Sequence, residues 1–162
     1  MIPFDSIRTK VAKFINASST KEVLFTRGTT TSLNWVAQGF APGRLQKGDE
    51  IWISPAEHHS NVVPWQQVAK QTGAVLRYFS LTKEGELDLE AAEQTLTEKA
   101  KIVSINHASN VLGTVTDVKR VAEMVHAVGG IIVVDGAQAA PHQKVDVQAL
   151  DCDFYAFSGH KM

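Results

Sequence analysis

The chain has one cysteine, Cys152, which excludes an internal disulfide and any thiolate metal cluster built from this chain alone. Blocks of like charge are absent, and 16 basic against 17 acidic residues leave the chain near neutrality. The sequence therefore carries no electrostatic footprint for nucleic acid or for an anionic membrane, and small molecules are the expected partners. No apolar run approaches the ~20 residues that a spanning helix needs. The opening MIPFDSIRTK lacks the basic, apolar and small-residue order of a secretion signal. A cytoplasmic, reducing location is expected. Walker A and G-x-G-x-x-G patterns are missing, which counts against a nucleoside triphosphate or a dinucleotide. Repeats, low-complexity tracts and linkers that would divide the chain are missing too.

What is present suits one globular core: 162 residues, 44% hydrophobic and 20% charged. Short β-rich runs recur at Glu22 to Thr26, Glu50 to Ser54, Ala74 to Phe79, Lys101 to Asn106, Gly130 to Asp135 and Asp153 to Phe157. Between them, helical spacing covers Thr31 to Phe40, Val62 to Thr72, Leu87 to Leu96 and Val118 to Val128. This alternation predicts an α/β fold, a mainly parallel sheet with helices on both faces; the unbroken IIVV run suits a strand covered on both sides. In open sheets of this kind ligands gather beyond the carboxyl ends of the strands, so the residues after each run are the candidates.

After the first run, RGTTTSLN (Arg27 to Asn34) sets a glycine before hydroxyl residues at a helix start. Such a segment is either a capped helix or a phosphate cup made of N–H groups and hydroxyls. After the second, PAEHHSN contains His58 and His59, whose adjacent side chains diverge on a regular element, so paired metal ligation is not expected. Either histidine is a surface residue or one imidazole stacks on a planar ligand or moves protons. After the fourth, HASNVLGT carries Asn110 in a Gly-containing loop, where an amide closes a turn or meets a ligand. After the fifth, Asp135 ends a row of aliphatics, where a carboxylate needs a cation or strong donors; Gln138 follows it. The last run leads into Ser158, Gly159, His160 and Lys161. A lysine there is a solvated charge unless the combination matters.

A carboxylate, an amine and a phosphate cup at separate strand ends are the parts needed to bind pyridoxal 5′-phosphate (PLP). The segments TRGTTTSLN, AEHHSNVVPW, HASNVLGT, VDGAQAAPH and DCDFYAFSGHK moreover resemble the group II cysteine desulfurases and selenocysteine lyases of the class V aminotransferase family, from about Ile7 to Lys161. The resemblance implies the aspartate-aminotransferase-like fold (fold type I) and PLP as cofactor. It implies that Lys161 is the Schiff-base lysine that also moves the substrate's α-proton, and that Asp135 pairs with the pyridinium nitrogen. It implies that Gln138 donates to the phenolate oxygen, that His58 stacks on the ring, and that Asn110 lies near the phenolate oxygen and the substrate carboxylate. Thr30, Ser158 and His160 would hold the phosphate, with backbone N–H groups of the turn at Thr29 and Thr30.

The implied reaction takes L-cysteine, or L-selenocysteine, to alanine. It leaves a persulfide on an enzyme cysteine, whose sulfur passes to an acceptor protein of iron–sulfur cluster assembly. The family works as a homodimer. Its full subunit is longer, so residues 1–162 are expected to be an incomplete PLP-binding large domain, with the family's N-terminal segment and C-terminal small domain absent. The nucleophilic cysteine would lie in the absent part, because Cys152 matches a non-catalytic position. Alone, the chain is expected not to turn over cysteine, and to expose a sheet edge and apolar surface. A class V aminotransferase or lyase acting on another amino acid, a selenocysteine lyase or a kynureninase-like enzyme, shares the same cofactor residues. A non-catalytic fragment acting only in subunit interaction is the remaining reading.

Overall fold

A computed structural model of the chain describes residues 4–162. Helix α1 (Phe4–Phe14) has Asp5 in its first turn and Lys13 in its last, charges that complement the helix dipole. The chain turns away after it at Asn16, whose φ of 53° lies in the left-handed region that asparagine tolerates and that does not continue a helix. The next expected strand, Glu22 to Thr26, does not form. Glu22 closes a short 3-10 turn (Thr20–Glu22), Val23 is buried, and Leu24 stands 74% exposed. Alternating β-formers make a strand only where a neighbour pairs with them, and none does here.

The sheet follows from the other five runs: β1 (Glu50–Ile53), β2 (Val75–Tyr78), β3 (Ala100–Asn106), β4 (Ile131–Asp135) and β5 (Phe154–Ala156). All pairings are parallel and the order is β2-β1-β3-β4-β5. Alternate residues of each strand serve opposite faces. On one face Leu33, Trp65 and Val68 cover Ile51, Ile53, Ile102 and Val133. On the other, Ala92, Val121 and Val125 cover Trp52, Val103, Ile105, Ile132 and Val134. Each such fully buried aliphatic side chain contributes roughly 1.5–3 kcal/mol, and both faces must be covered for a parallel sheet to persist.

The helices are α2 (Thr29–Trp35), α3 (Val63–Thr72), α4 (Leu89–Thr95), α5 (Val118–Ala127) and α6 (Val147–Leu150). The expected helix from Thr31 to Phe40 starts earlier, and its second half, Val36–Phe40, is a wider π turn that passes into a 3-10 turn at Ala41–Arg44, where Pro42 stops it. Local chemistry sets the other ends. Asp88, Asp117 and Asp146 accept backbone N–H groups at the starts of α4, α5 and α6, and Gly73, with φ 78°, closes α3.

The chain leaves β1 for the edge strand β2, then returns past β1 to β3. The carboxyl ends of β1 and β3 therefore flank a topological switch point, where the outgoing segments part and leave a crevice. β2 and β5 each keep one unpaired edge, and Val111 and Leu24 are the most exposed large apolar residues among those described. No described helix is long and apolar enough to cross a membrane.

Candidate active site

A cavity of about 320 Å³ opens at the carboxyl ends of the strands. Thr29, Thr30, His58, Asn110, Asp135, Gln138, Ser158, His160 and Lys161 all line it, which brings together the residues expected to hold the cofactor, though not His59 or Gly159. Ser60, Asn106, Ala108 and Ala137 complete the wall and were not anticipated from the sequence. A larger cavity of about 620 Å³ lies between α1 and β5, with Phe14, Leu24, Phe25 and Phe157 on its walls. Asp135 and Lys161 do not line it, although Ser158 and His160 line both cavities.

Gly28 makes one corner possible. Its φ of 139° is disfavoured for residues with a side chain, and a Cβ there would stand 3.2 Å from the Ser158 hydroxyl. Without that Cβ, the Thr29 N–H donates to Ser158 Oγ at 2.8 Å, and the two hydroxyls meet at 2.7 Å. The start of α2 is thus bolted to the end of β5. Thr30 Oγ1 meets Ser60 Oγ at 2.9 Å, and Ser60 Oγ meets His58 Nδ1 at 2.9 Å. The Ser60 N–H also donates to His58 Nδ1, so neutral His58 carries its proton on Nε2. His59 is not part of the wall; its ring stands 6.2 Å from that of His58 at 83°. Among the described residues no cluster of three or more His, Cys, Asp or Glu is arranged to hold a metal ion.

Asp135 is the last residue of β4 and is 6% exposed. Burial pushes its carboxyl above the usual aspartate range, while the Ala137 N–H, donating to Oδ1 at 2.9 Å, and the charges of Lys161 and His58 pull it back. Carboxylate, amine and imidazole are therefore within electrostatic reach of one another. Lys161 reaches the site from a 3-10 turn, Gly159–Lys161, that follows β5, and is exposed at the rim. Gln138 lies half-buried three residues after Asp135, and Asn110 is exposed in the loop closed by the bridge between Ala108 and Val115.

Gly136, directly after Asp135, leaves no room for a side chain, because a Cβ would overlap the edge of the Tyr155 ring at Cε1, Cζ and the hydroxyl. The Tyr155 hydroxyl meets His107 Nδ1 at 2.9 Å, and burial holds the His107 imidazole below its ordinary pKa. Cys152 lies outside the cavity, with its thiol pushed up to about 12, chiefly by burial. It stays protonated at neutral pH, when only the thiolate is nucleophilic.

The sequence pattern of the aminotransferase class-V family matches residues 2–162. The chain belongs to the class-V aminotransferase family. This class-V chain is 58% identical over 159 residues to a probable cysteine desulfurase of Halalkalibacterium halodurans, covering 98% of itself and 39% of that protein. It is 48% identical to a cysteine desulfurase of Dickeya dadantii, covering 98% of itself and 38% of the relative. The crystal structure of an Escherichia coli cysteine desulfurase superimposes with a TM-score of 0.94 at 46% identity, over 97% of this chain and 39% of the other. A C-DES mutant with glycine covalently linked to its PLP cofactor matches with a TM-score of 0.84 at 25% identity, over 96% of this chain and 41% of that one. The class-V chain thus spans about two-fifths of the length of these relatives.

Proposed function

We propose that residues 1–162 form part of the large domain of a PLP-dependent cysteine desulfurase and carry most of its cofactor pocket. The observation that carries this reading is the donor set of the 320 Å³ cavity: a buried carboxylate, a primary amine, an imidazole and a group of hydroxyls. That set fits PLP, which presents a ring nitrogen, an aldehyde, a phenolic oxygen and a phosphate. The cysteine desulfurases among its relatives narrow the reaction.

In this reading Asp135 holds the proton of the ring nitrogen. Burial, which raises its own affinity for a proton, makes a cationic partner there the natural companion of its charge. His58 offers an imidazole face to the ring, and Gln138 an amide to the phenolic oxygen. Thr29, Thr30, Ser158 and His160 receive the phosphate, and Asn110 faces the phenolic oxygen and the substrate's carboxylate. Lys161 would anchor the cofactor, and its amine would take and return the proton at the substrate's α-carbon. When bound, PLP supplies a carbonyl for the substrate amino group and an electron-withdrawing ring that eases cleavage at the β-carbon.

The substrate proposed is L-cysteine, or L-selenocysteine, the product L-alanine, and the sulfur recipient an acceptor protein of iron–sulfur assembly. The working unit proposed is a homodimer in a reducing, cytoplasmic setting, with a sulfur-accepting thiol other than Cys152. The test is titration of the 162-residue chain with PLP, followed by its visible absorbance, and then addition of L-cysteine or a non-amino thiol. Saturable one-to-one binding that is weakened by Thr30→Ala and by Ser158→Ala, with a spectral change on adding L-cysteine alone, supports the reading. Binding that is non-saturable, or indifferent to both hydroxyls, contradicts it.

A further inference from the structure

One buried polar group next to the cavity has no place in the mechanism above. Glu57 precedes His58 in the segment that leaves β1, and its carboxyl group is enclosed although the residue as a whole is only half-buried. Its Oε1 accepts the Asn106 backbone N–H at 2.8 Å and the Asn106 side-chain amide at 2.9 Å. Its Oε2 accepts the Asn61 side-chain amide at 2.7 Å.

The direction of these bonds is forced. An indole N–H can only donate, and that of Trp65 donates to Asn61 Oδ1 at 3.0 Å. The Ser104 hydroxyl donates to the same oxygen at 2.6 Å. Asn61 must therefore turn its amide nitrogen toward residue 57, and the backbone of Asn106 likewise presents only a donor. A group that accepts through both of its atoms satisfies all of these donors, and the ionised form of Glu57 is that group.

Asn61, Trp65 and Ser104 are wholly buried, so this anchor is part of the core. Between its two fixed points, Glu57 and Asn61, hang His58, His59 and Ser60, closed as a turn by the Asn61 N–H donating to the His58 carbonyl at 2.7 Å. We propose that Glu57 is a positioning residue, fastening the His58-bearing segment to the carboxyl end of β3 and so setting where His58 and Ser60 stand at the cavity. Its effect on PLP rests on the reading above, whereas its effect on His58 does not.

Burial pushes the Glu57 carboxyl up to about 8, against the N–H groups of Asn61 and Asn106 and helped by the charge of Asp135 on β4. The variants are therefore compared above pH 8, with the wild-type carboxylate ionised. Glu57→Gln sets an N–H against the Asn61 amide, donor against donor. Glu57→Gln combined with Asn61→Asp moves the carboxylate to position 61 and remakes every bond. The amide at 57 then donates to the carboxylate, whose other oxygen still accepts from Trp65 and Ser104.

The readouts without ligand are the Trp65 indole resonance, hydrogen exchange at the Asn106 amide, and the nitrogen resonance of His58 Nδ1. Glu57→Gln should speed Asn106 exchange about tenfold, the factor expected for one lost buried hydrogen bond worth about 1.4 kcal/mol. It should shift the His58 signal and weaken PLP binding by a similar factor. The double variant should restore all of these to within about threefold of wild type, the scatter usual for a remade contact.

Wild-type His58 and Asn106 signals in Glu57→Gln would overturn the proposal. So would a double variant that recovers the Trp65 and Asn106 signals yet leaves His58 displaced. If Glu57→Gln does not fold, the double variant decides alone: recovery supports the proposal, and failure to fold overturns it. Absence of PLP binding by the wild-type chain would overturn the functional reading only, because the resonances are recorded without it.

Discussion

Gly136→Ala should damage the site from below. The added methyl overlaps the edge of the Tyr155 ring, which is held by its hydroxyl at 2.9 Å from His107 Nδ1 and packs beside Phe157. Ring and strand end cannot both keep their places. Overpacking of this kind costs about 1–3 kcal/mol, and loss of the tyrosine–histidine bond adds about 1 kcal/mol. A total of roughly 2–4 kcal/mol, at about 2–4 °C per kcal/mol for a chain of this size, lowers Tm by on the order of 10 °C. Because Gly136 directly follows Asp135, the same displacement moves the carboxylate and should weaken PLP binding as well. The assay is thermal unfolding by circular dichroism of wild type, Gly136→Ala, Tyr155→Ala and the double variant. Removing the ring should relieve the methyl's cost, so the double variant should be at least about 1 kcal/mol more stable than the sum of the single losses predicts. An unchanged Tm in Gly136→Ala, or strict additivity in the cycle, would refute the steric argument.

Glu57 implies a pH dependence. Its folded-state pKa of about 8 exceeds the ordinary glutamate value of 4.5, so the folded chain holds a proton that the unfolded chain has released between those values. Its contribution is complete below pH 4.5 and is lost as pH rises through 8. Urea midpoints should fall over that interval, and the fall should disappear in Glu57→Gln. Asp135→Asn should leave the ligand-free chain at least as stable as wild type near neutral pH, since burial disfavours the native carboxylate, while PLP affinity drops about tenfold or more; equal affinity would detach Asp135 from the cofactor. Cys152 should react with iodoacetamide far more slowly than a free thiol at pH 7, and Cys152→Ser should leave PLP binding unchanged; rapid alkylation would show that the thiol is not held neutral by burial.

Five of the six expected strands form, and the central ones were legible because parallel strands covered on both faces are mostly apolar, as β1, β3 and β4 are; β2 is largely exposed and was legible only from its β-forming residues. EVLFT has the same local character and fails, because pairing is decided by what lies beside a run rather than within it. The cavity residues were legible for a related reason: a parallel sheet gathers the ends of all its strands at one side, so His58, Asn110, Asp135 and Lys161 converge from stretches far apart in sequence. The supports were not legible. Glu57 meets Asn106 across 49 positions, Asn61 meets Ser104 across 43, and Thr29 meets Ser158 across 129, with no spacing rule to connect them. That His58 and not His59 faces the cavity likewise depends on the turn that Glu57 and Asn61 hold.

The central claim is that this cavity is a PLP site anchored by Lys161. Incubation of the 162-residue chain with PLP, reduction with borohydride and peptide mass mapping test it most directly. A single pyridoxyl label is expected on the peptide ending Ser158 to Met162, carried by Lys161 and absent from Lys161→Ala. No label, or a label spread over the surface lysines and unchanged in Lys161→Ala, would contradict it.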